Sequence, residues 1–196
     1  IEDLTQDIRW AMTDELGKNY ELAQRPLTGD IRAATNYLNH FFSTQVKYLG
    51  PLRDEPKALY PLASNVDPMD IGYRGEHTAA VLDLHKTNFI SYIPSRVFDK
   101  PDIQLERNRP QEKATTRTLE TAVSDWLVYM GVAESLVTHD RGKLGHELKV
   151  TTPGTTMPHD LTHVGVGVSQ VLPILVMCLL AEPDTTIIIE QPELHL

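Results

Sequence analysis

The segment that most constrains this chain is its last apolar run. Thr186, Ile187, Ile188 and Ile189 follow one another and lead straight into Glu190-Gln191-Pro192-Glu193. Four β-branched residues favour a strand. Apolar side chains at successive positions predict a strand covered on both faces, as in the centre of a parallel sheet. Upstream, Val164-Gly165-Val166-Gly167-Val168-Ser169-Gln170 opens a buried helix predicted over about Gln170–Ala181, with Pro173 expected within its first turn. Gly167 and Glu190 are 23 residues apart, enough for one helix and one returning strand. The predicted class is α/β with a mostly parallel central sheet.

Both ends of this unit carry chemistry. A carboxylate at the carboxyl end of a parallel strand, as predicted for Glu190, faces the ligand crevice of an α/β sheet. It needs a cation or strong donors nearby, and Mg²⁺ with bound phosphate would serve. The plain alternative is a strand-to-turn boundary with Glu190 solvated. At the helix start, Gly165 and Gly167 allow close backbone approach, and the free N–H groups of a helix amino end favour an anion. The plain alternative there is close packing around small residues.

Elsewhere, helices are predicted over Thr5–Gly17, after Thr28-Gly29-Asp30 with Ile31, Ala34, Leu38, Phe41 and Phe42 on one face, and over His77–His85. The clearest helix lies near Arg117–Val137, with Leu119, Val123, Trp126, Leu127, Met130 and Leu136 on one face and Gly131 as a weak point. Thr44–Leu49 and Leu144–Val150 are strand candidates, and residues 50–72 form a long loop rich in Pro and Asp. The expected organisation is a helical and strand segment over 1–90, a surface excursion over 91–116, and a carboxyl-terminal segment over 117–196. The chain starts at Ile1 and stops just after an apolar strand, which leads to the expectation of a fragment of one larger domain.

Charge and cysteine usage narrow the partners. Among the 196 residues, 18 Lys+Arg against 27 Asp+Glu give a net charge of −9, so the overall field does not hold nucleic acid. The basic residues between Arg96 and Arg117 exceed the acidic ones by only two, a solvated surface rather than a DNA stripe. The longest apolar run, Val171–Ala181, is far short of the roughly 18–20 residues a bilayer span needs. The lone Cys178 supports no disulfide framework, which favours a reducing, cytoplasmic setting. His159 and His163 flank Asp160, but Pro158 and the nearby glycines argue against the helix a zinc pair needs.

The pair VGVGVSQVLPIL and IIIEQPELHL resembles the ABC-type ATPase heads of the SMC, RecF and OLD (overcoming lysogenization defect) group, and more closely their bacterial AAA-family ATPase relatives. YLGPLR (Tyr48–Arg53) and GYRGEHTAAVL (Gly72–Leu82) are similar to the same subfamily. The resemblance implies a partial P-loop NTPase fold with helical additions, ATP and Mg²⁺ as ligands, and a second ATPase head as partner. A nuclease or other effector and DNA are further implied partners, in DNA repair or antiphage defence, with no membrane. Gly165, Gly167, Ser169 and Gln170 then stand at the signature loop and would reach the γ-phosphate of the partner's nucleotide. Glu190 takes the Walker B position and would hold Mg²⁺. Gln191 falls where many such enzymes carry the catalytic glutamate, and Gln is no general base. Glu193 is the substitute candidate, and His195 belongs to the region that follows. No G-x-x-x-x-G-K-S/T occurs in the chain, so the resemblance places the phosphate loop outside it. Arg53 and Arg74 are candidates for phosphate or subunit contact, or for fixing a loop through an ion pair. Two rival readings are a nucleotide-gated scaffold with slow hydrolysis and a non-catalytic interaction module.

Overall fold

The computed structural model describes residues 29–61, 69–98, 114–164 and 166–193. The chain divides into two compact units, Ile1–Ser43 and Thr44–Leu196. The predicted helix over Thr5–Gly17 lies outside the described residues. In the first unit, helix α1 (Gly29–His40) forms as its spacing predicts, with Asp30 in its first turn, where a carboxylate complements the helix dipole. None of its residues is buried: Ile31, Tyr37, Leu38 and Phe42 are all at least half exposed. Tyr37 stacks on Phe41, which meets Phe42 edge-on.

The second unit runs β1 (Val46–Leu49), α2 (Thr78–His85), β2 (Phe89–Tyr92), β3 (Thr115–Thr118), α3 (Leu119–Tyr129), β4 (Ser135–Asp140), β5 (His146–Thr151), β6 (His159–Asp160), α4 (Val166–Leu180) and β7 (Thr186–Ile189). It is a mixed α/β unit of small sheets. Strands β1 and β7 pair in parallel, Val46 opposite Thr186 through Leu49 opposite Ile189. The other two sheets, β2–β3 and β4–β5–β6, are antiparallel. The expected mostly parallel sheet is therefore corrected: among the described residues, one strand pair is parallel. The reason is local. Strands β4 and β5 are joined by the tight connection Arg141–Gly145, which can only return the chain antiparallel. Gly145 sits at φ 112°, and a Cβ there would lie 2.0 Å from the Tyr60 carbonyl oxygen. That carbonyl accepts the His146 N–H, and the Tyr60 N–H is returned to His146, both at 2.8 Å.

The long helix expected over Arg117–Val137 is split. Thr118 caps α3 by accepting the Thr121 N–H, and the residues before it pair with β2. Gly131, at φ 68°, ends the helix: its own N–H bonds Val128 and that of Val132 bonds Leu127, the two bonds of a Schellman cap. Leu136 accordingly lies on β4 rather than on the helix. Leu119, Ala122, Val123 and Leu127 are buried as the spacing predicts. Trp126 is half-buried between Phe98 and Tyr129, and Met130 is exposed at the helix end.

The core of this unit holds Leu49, Leu82, Leu119, Leu127, Leu148, Val150 and Val176, with α4 packed on α2 and α3. One polar cluster sits beside it. The Asp83 carboxylate on α2 accepts from Lys86 Nζ (2.8 Å), Thr138 Oγ1 on β4 (2.6 Å) and His146 Nδ1 on β5 (3.0 Å), so one side chain ties three elements. Strand β7 is less covered than its sequence predicts. Ile187 and Ile189 pack half-buried toward the core, but Thr186 and Ile188 on the other face are exposed. No described helix is long and apolar enough to cross a membrane.

Candidate functional site

Glu190 lies at the carboxyl end of β7 and is held at three points. Its N–H donates to the Leu49 carbonyl at 3.0 Å, and its own carbonyl accepts from Arg53 Nη2 at 2.9 Å. Its Oε1 accepts the Tyr48 hydroxyl. The register explains the last contact: Tyr48 pairs with Ile188, and a side chain two residues further along β7 emerges on the same face. The Tyr48 phenol is pushed far above its usual range. Ionising it would destroy the bond to Glu190, a further bond to Tyr73 acts the same way, and a phenolate would face the carboxylate. Tyr48 therefore stays a donor.

Arg53 is buried, and among the described residues it forms no ion pair. Its guanidinium instead donates to the carbonyls of Gly50 and Glu190, with Nε unpartnered. Burial pulls its affinity for its proton down, as expected for a charge removed from water. Arg74 acts likewise at the surface, donating from Nε to the Leu52 carbonyl (3.2 Å) and from Nη2 to the Arg53 carbonyl (3.4 Å). Both arginines fix loops, but through main-chain oxygens rather than the ion pair considered from sequence.

These bonds join the two segments singled out in the sequence. Gly50 N–H donates to Tyr73 O and Asp54 N–H to Arg74 O, each at 2.8 Å, so residues 50–54 and 72–75 lie side by side. The second segment abuts α4: a Cβ on Gly75 would come within 2.6 Å of the Pro173 ring. A small cleft opens here between Asp54, Tyr60, Arg74, Thr78, Leu148 and Ser169, with about 20 Å³ open to water, room for a single molecule. Residues 50–54, which meet Glu190 through Arg53, and residues 72–75 thus link the end of β7 to the Ser169–Pro173 stretch of α4.

The other predicted residues fall as follows. Helix α4 begins at Val166, so Gly167, Ser169 and Gln170 are in its opening turns rather than in a loop, and Ser169 is buried. Pro173 is correspondingly well inside the helix, not in its first turn, and supplies no N–H to the Ser169 carbonyl four residues back. Gly165 and His195 lie outside the described residues. Gln191 is exposed and left-handed at φ 46°, turning the chain away directly after Glu190, and Glu193 is exposed in that turn. Among the described residues, no group of three or more His, Cys, Asp or Glu is placed to hold a metal ion. One free carboxylate oxygen on Glu190, with Glu193 close in sequence, suits a cation bound mostly by water and phosphate, as Mg²⁺ is, and does not suit zinc. Tyr48 was not a candidate from sequence, because its contact depends on the β1–β7 register.

Comparison with known proteins finds no matching family model, no matching curated protein and no matching solved structure.

Proposed function

We propose that this chain supplies the Glu190 strand end and the α4 start of an ABC-type ATPase head of the SMC, RecF and OLD group, which binds and hydrolyses ATP with Mg²⁺ and dimerises on ATP. The observation that supports the reading is Glu190 at the end of a parallel strand, its backbone held by Leu49 and Arg53 and its carboxylate by Tyr48. On this reading the phosphate loop comes from sequence outside these 196 residues, and its strand would lie in the same sheet as β1 and β7.

Mg²⁺, when bound, neutralises and aligns the phosphate oxygens. Glu190 would hold it through the oxygen Tyr48 leaves open. Gly165, Gly167, Ser169 and Gln170 would present the start of α4 to the nucleotide of a second head, and Glu193 is the candidate general base. A nuclease or other effector, with DNA as its substrate, fits such a cytoplasmic machine. The scaffold reading, with slow hydrolysis, keeps a specific observation in its favour: the residue after Glu190 is the neutral, outward-turned Gln191.

The test is turnover by the polypeptide that carries both this chain and a phosphate loop. Glu190→Gln is expected to lower kcat by about a hundredfold, a loss typical of removing a group that aligns charge in the transition state. Gln191→Ala is expected to change it by less than about threefold. Loss of turnover in Glu193→Gln with nucleotide binding intact identifies the base and removes the scaffold reading. If all three variants hydrolyse ATP like the parent, β7 is no metal-bearing strand and an interaction module replaces the ATPase.

A further inference from the structure

We infer that residues 94–98 and the adjoining face of α3 form a docking site for an acidic peptide segment of a partner protein. Arg96 and Arg117 take its carboxylates, and Phe98, Trp126 and Tyr129 take its apolar side chains. The site lies wholly within the second unit and is independent of the nucleotide reading.

Asp125 on α3 builds the apolar half. Its two oxygens accept the Ser95 N–H (2.8 Å) and the Ser95 hydroxyl (2.9 Å). Ser95 opens a single 3₁₀ turn, Ser95–Val97, closed by the Phe98 N–H on the Ser95 carbonyl. The clamp sets Phe98 beside Trp126, with ring centres 5.6 Å apart. Tyr129, three residues along the same helix face, meets Trp126 at 5.7 Å. Trp126 is half-buried, while Phe98 and Tyr129 are 45% and 43% exposed. Aromatic side chains gathered in one place and left in water mark an interaction surface, whereas scattered ones do not. A half-buried Trp flanked by Tyr is also the residue type that anchors protein partners.

The charged half selects the partner. The Tyr92 phenol lies beside the Asp125 carboxylate and within electrostatic reach of Arg96 and Arg117. Both arginines are exposed, and among the described residues neither forms an ion pair. Asp125 already serves Ser95. Two unpaired guanidinium groups therefore flank the aromatic cluster on a chain whose net charge is −9. Guanidinium groups take carboxylates through paired hydrogen bonds. A second copy of the chain carries the same −9 and is repelled as a whole. A single nucleic-acid strand meets the same repulsion, and it binds along a basic groove with ring faces open for stacking. Here the rings are inclined to their neighbours by 49° and 84°, which gives an uneven surface suited to side chains rather than a row of parallel faces.

The test titrates the full chain into a panel of fluorescein-labelled decapeptides in which Glu and Asp alternate with Leu, Phe and Trp, read by anisotropy. The same panel with Gln and Asn for the acids, and a ten-nucleotide oligothymidylate, are the comparisons. The best acidic peptide is expected to bind at least about fivefold more tightly than its amide counterpart, the worth of two surface ion pairs. Added salt should shrink that preference. Arg96→Gln combined with Arg117→Gln should remove it and leave the affinity for the amide peptide unchanged. Phe98→Ser should weaken both peptides alike, and should that variant fail to fold, Tyr129→Ser must do the same. No binding by any peptide, equal affinity for the two panels, or a preference that survives loss of both arginines overturns the inference. Arginine-dependent binding of the oligothymidylate that is tighter than that of every peptide replaces the peptide with nucleic acid. A dimer that Phe98→Ser dissolves, in a chain that ignores the peptides, replaces it with a second copy.

Discussion

Replacing Asp83 tests the polar cluster that ties α2 to the β4–β5 hairpin. Its carboxylate is 7% exposed and serves three donors. In Asp83→Ala, Lys86 Nζ is one-third exposed and turns to water. Thr138, 3% exposed, and the His146 ring, 10% exposed, cannot do so. Each buried group left without its partner costs about 1–3 kcal/mol. His146 recovers part of this by changing tautomer, which places the sum near 3–4 kcal/mol, within the range of about 3–5 for breaking a buried pair. Urea unfolding at pH 7 at constant m-value measures it. Asp83→Asn retains an oxygen for Lys86 and Thr138 and is expected to lose about half as much. An Ala variant within about 1 kcal/mol of the parent, or an Asn variant as unstable as Ala, would refute the idea that these three donors set the cost.

The same carboxylate carries a pH signature. Burial pushes the Asp83 carboxyl up, but the bonds from Lys86, Thr138 and His146 outweigh it and hold it below the ordinary range. A carboxyl that is more acidic when folded stabilises fully above its unfolded value of about 4, and that stability is lost as pH falls through the folded value. The parent should therefore weaken relative to Asp83→Asn as acid is added below about pH 4.

Two further outcomes follow from backbone geometry. Gly145→Ala should cost more than about 3 kcal/mol, because its Cβ would strike the Tyr60 carbonyl, whereas Gly131→Ala, in open space at φ 68°, should cost only about 1–2; equal denaturation midpoints for the two would show that the clash is not what matters. Gln191→Gly should raise the thermal midpoint by relieving a left-handed non-glycine residue worth up to about 1 kcal/mol, and a lowered midpoint would mean that the Gln191 side chain contributes a contact of its own.

The elements legible in the sequence are those whose burial is one-sided and local. Helix α2 appears where its spacing places it, and α4 is recognised but begins at Val166 rather than near Gln170; Val81 with Leu82 and Val171 with Leu172 and Val176 point into one core. Strand β3 was illegible for the opposite reason: Thr115-Thr116-Arg117-Thr118 shows no apolar alternation and is a strand because Phe89–Tyr92 offers it a partner. Strand β4 was hidden because Leu136 keeps the helical spacing of α3, and only the cap at Gly131 breaks it. At the candidate site, Glu190 stands out as a carboxylate after four β-branched residues. What fixes it does not stand out, since Tyr48 is 142 positions away and Arg53 is 137, and Arg53 acts on carbonyls that every residue possesses.

The exposure of β7 and the burial of Arg53 bear on one another. A parallel strand is ordinarily held by neighbours on both edges and cover on both faces, and a two-stranded sheet alone is marginal. Among the described residues β7 has β1 alone beside it, and the Ile188 face is open. The end of this strand is nevertheless fixed, by a guanidinium and a phenol that do for Glu190 what flanking strands would otherwise do. Burying Arg53 without a carboxylate partner is unfavourable, and an apolar side chain would fill the same space at less cost. The guanidinium does something an apolar residue cannot: it holds the carbonyls of Gly50 and Glu190 together, locking the end of β1 to the end of β7. A group kept at the expense of stability, and aimed at the one residue whose chemistry the sequence singles out, argues that the position of Glu190 matters more to this molecule than the strength of the sheet that carries it.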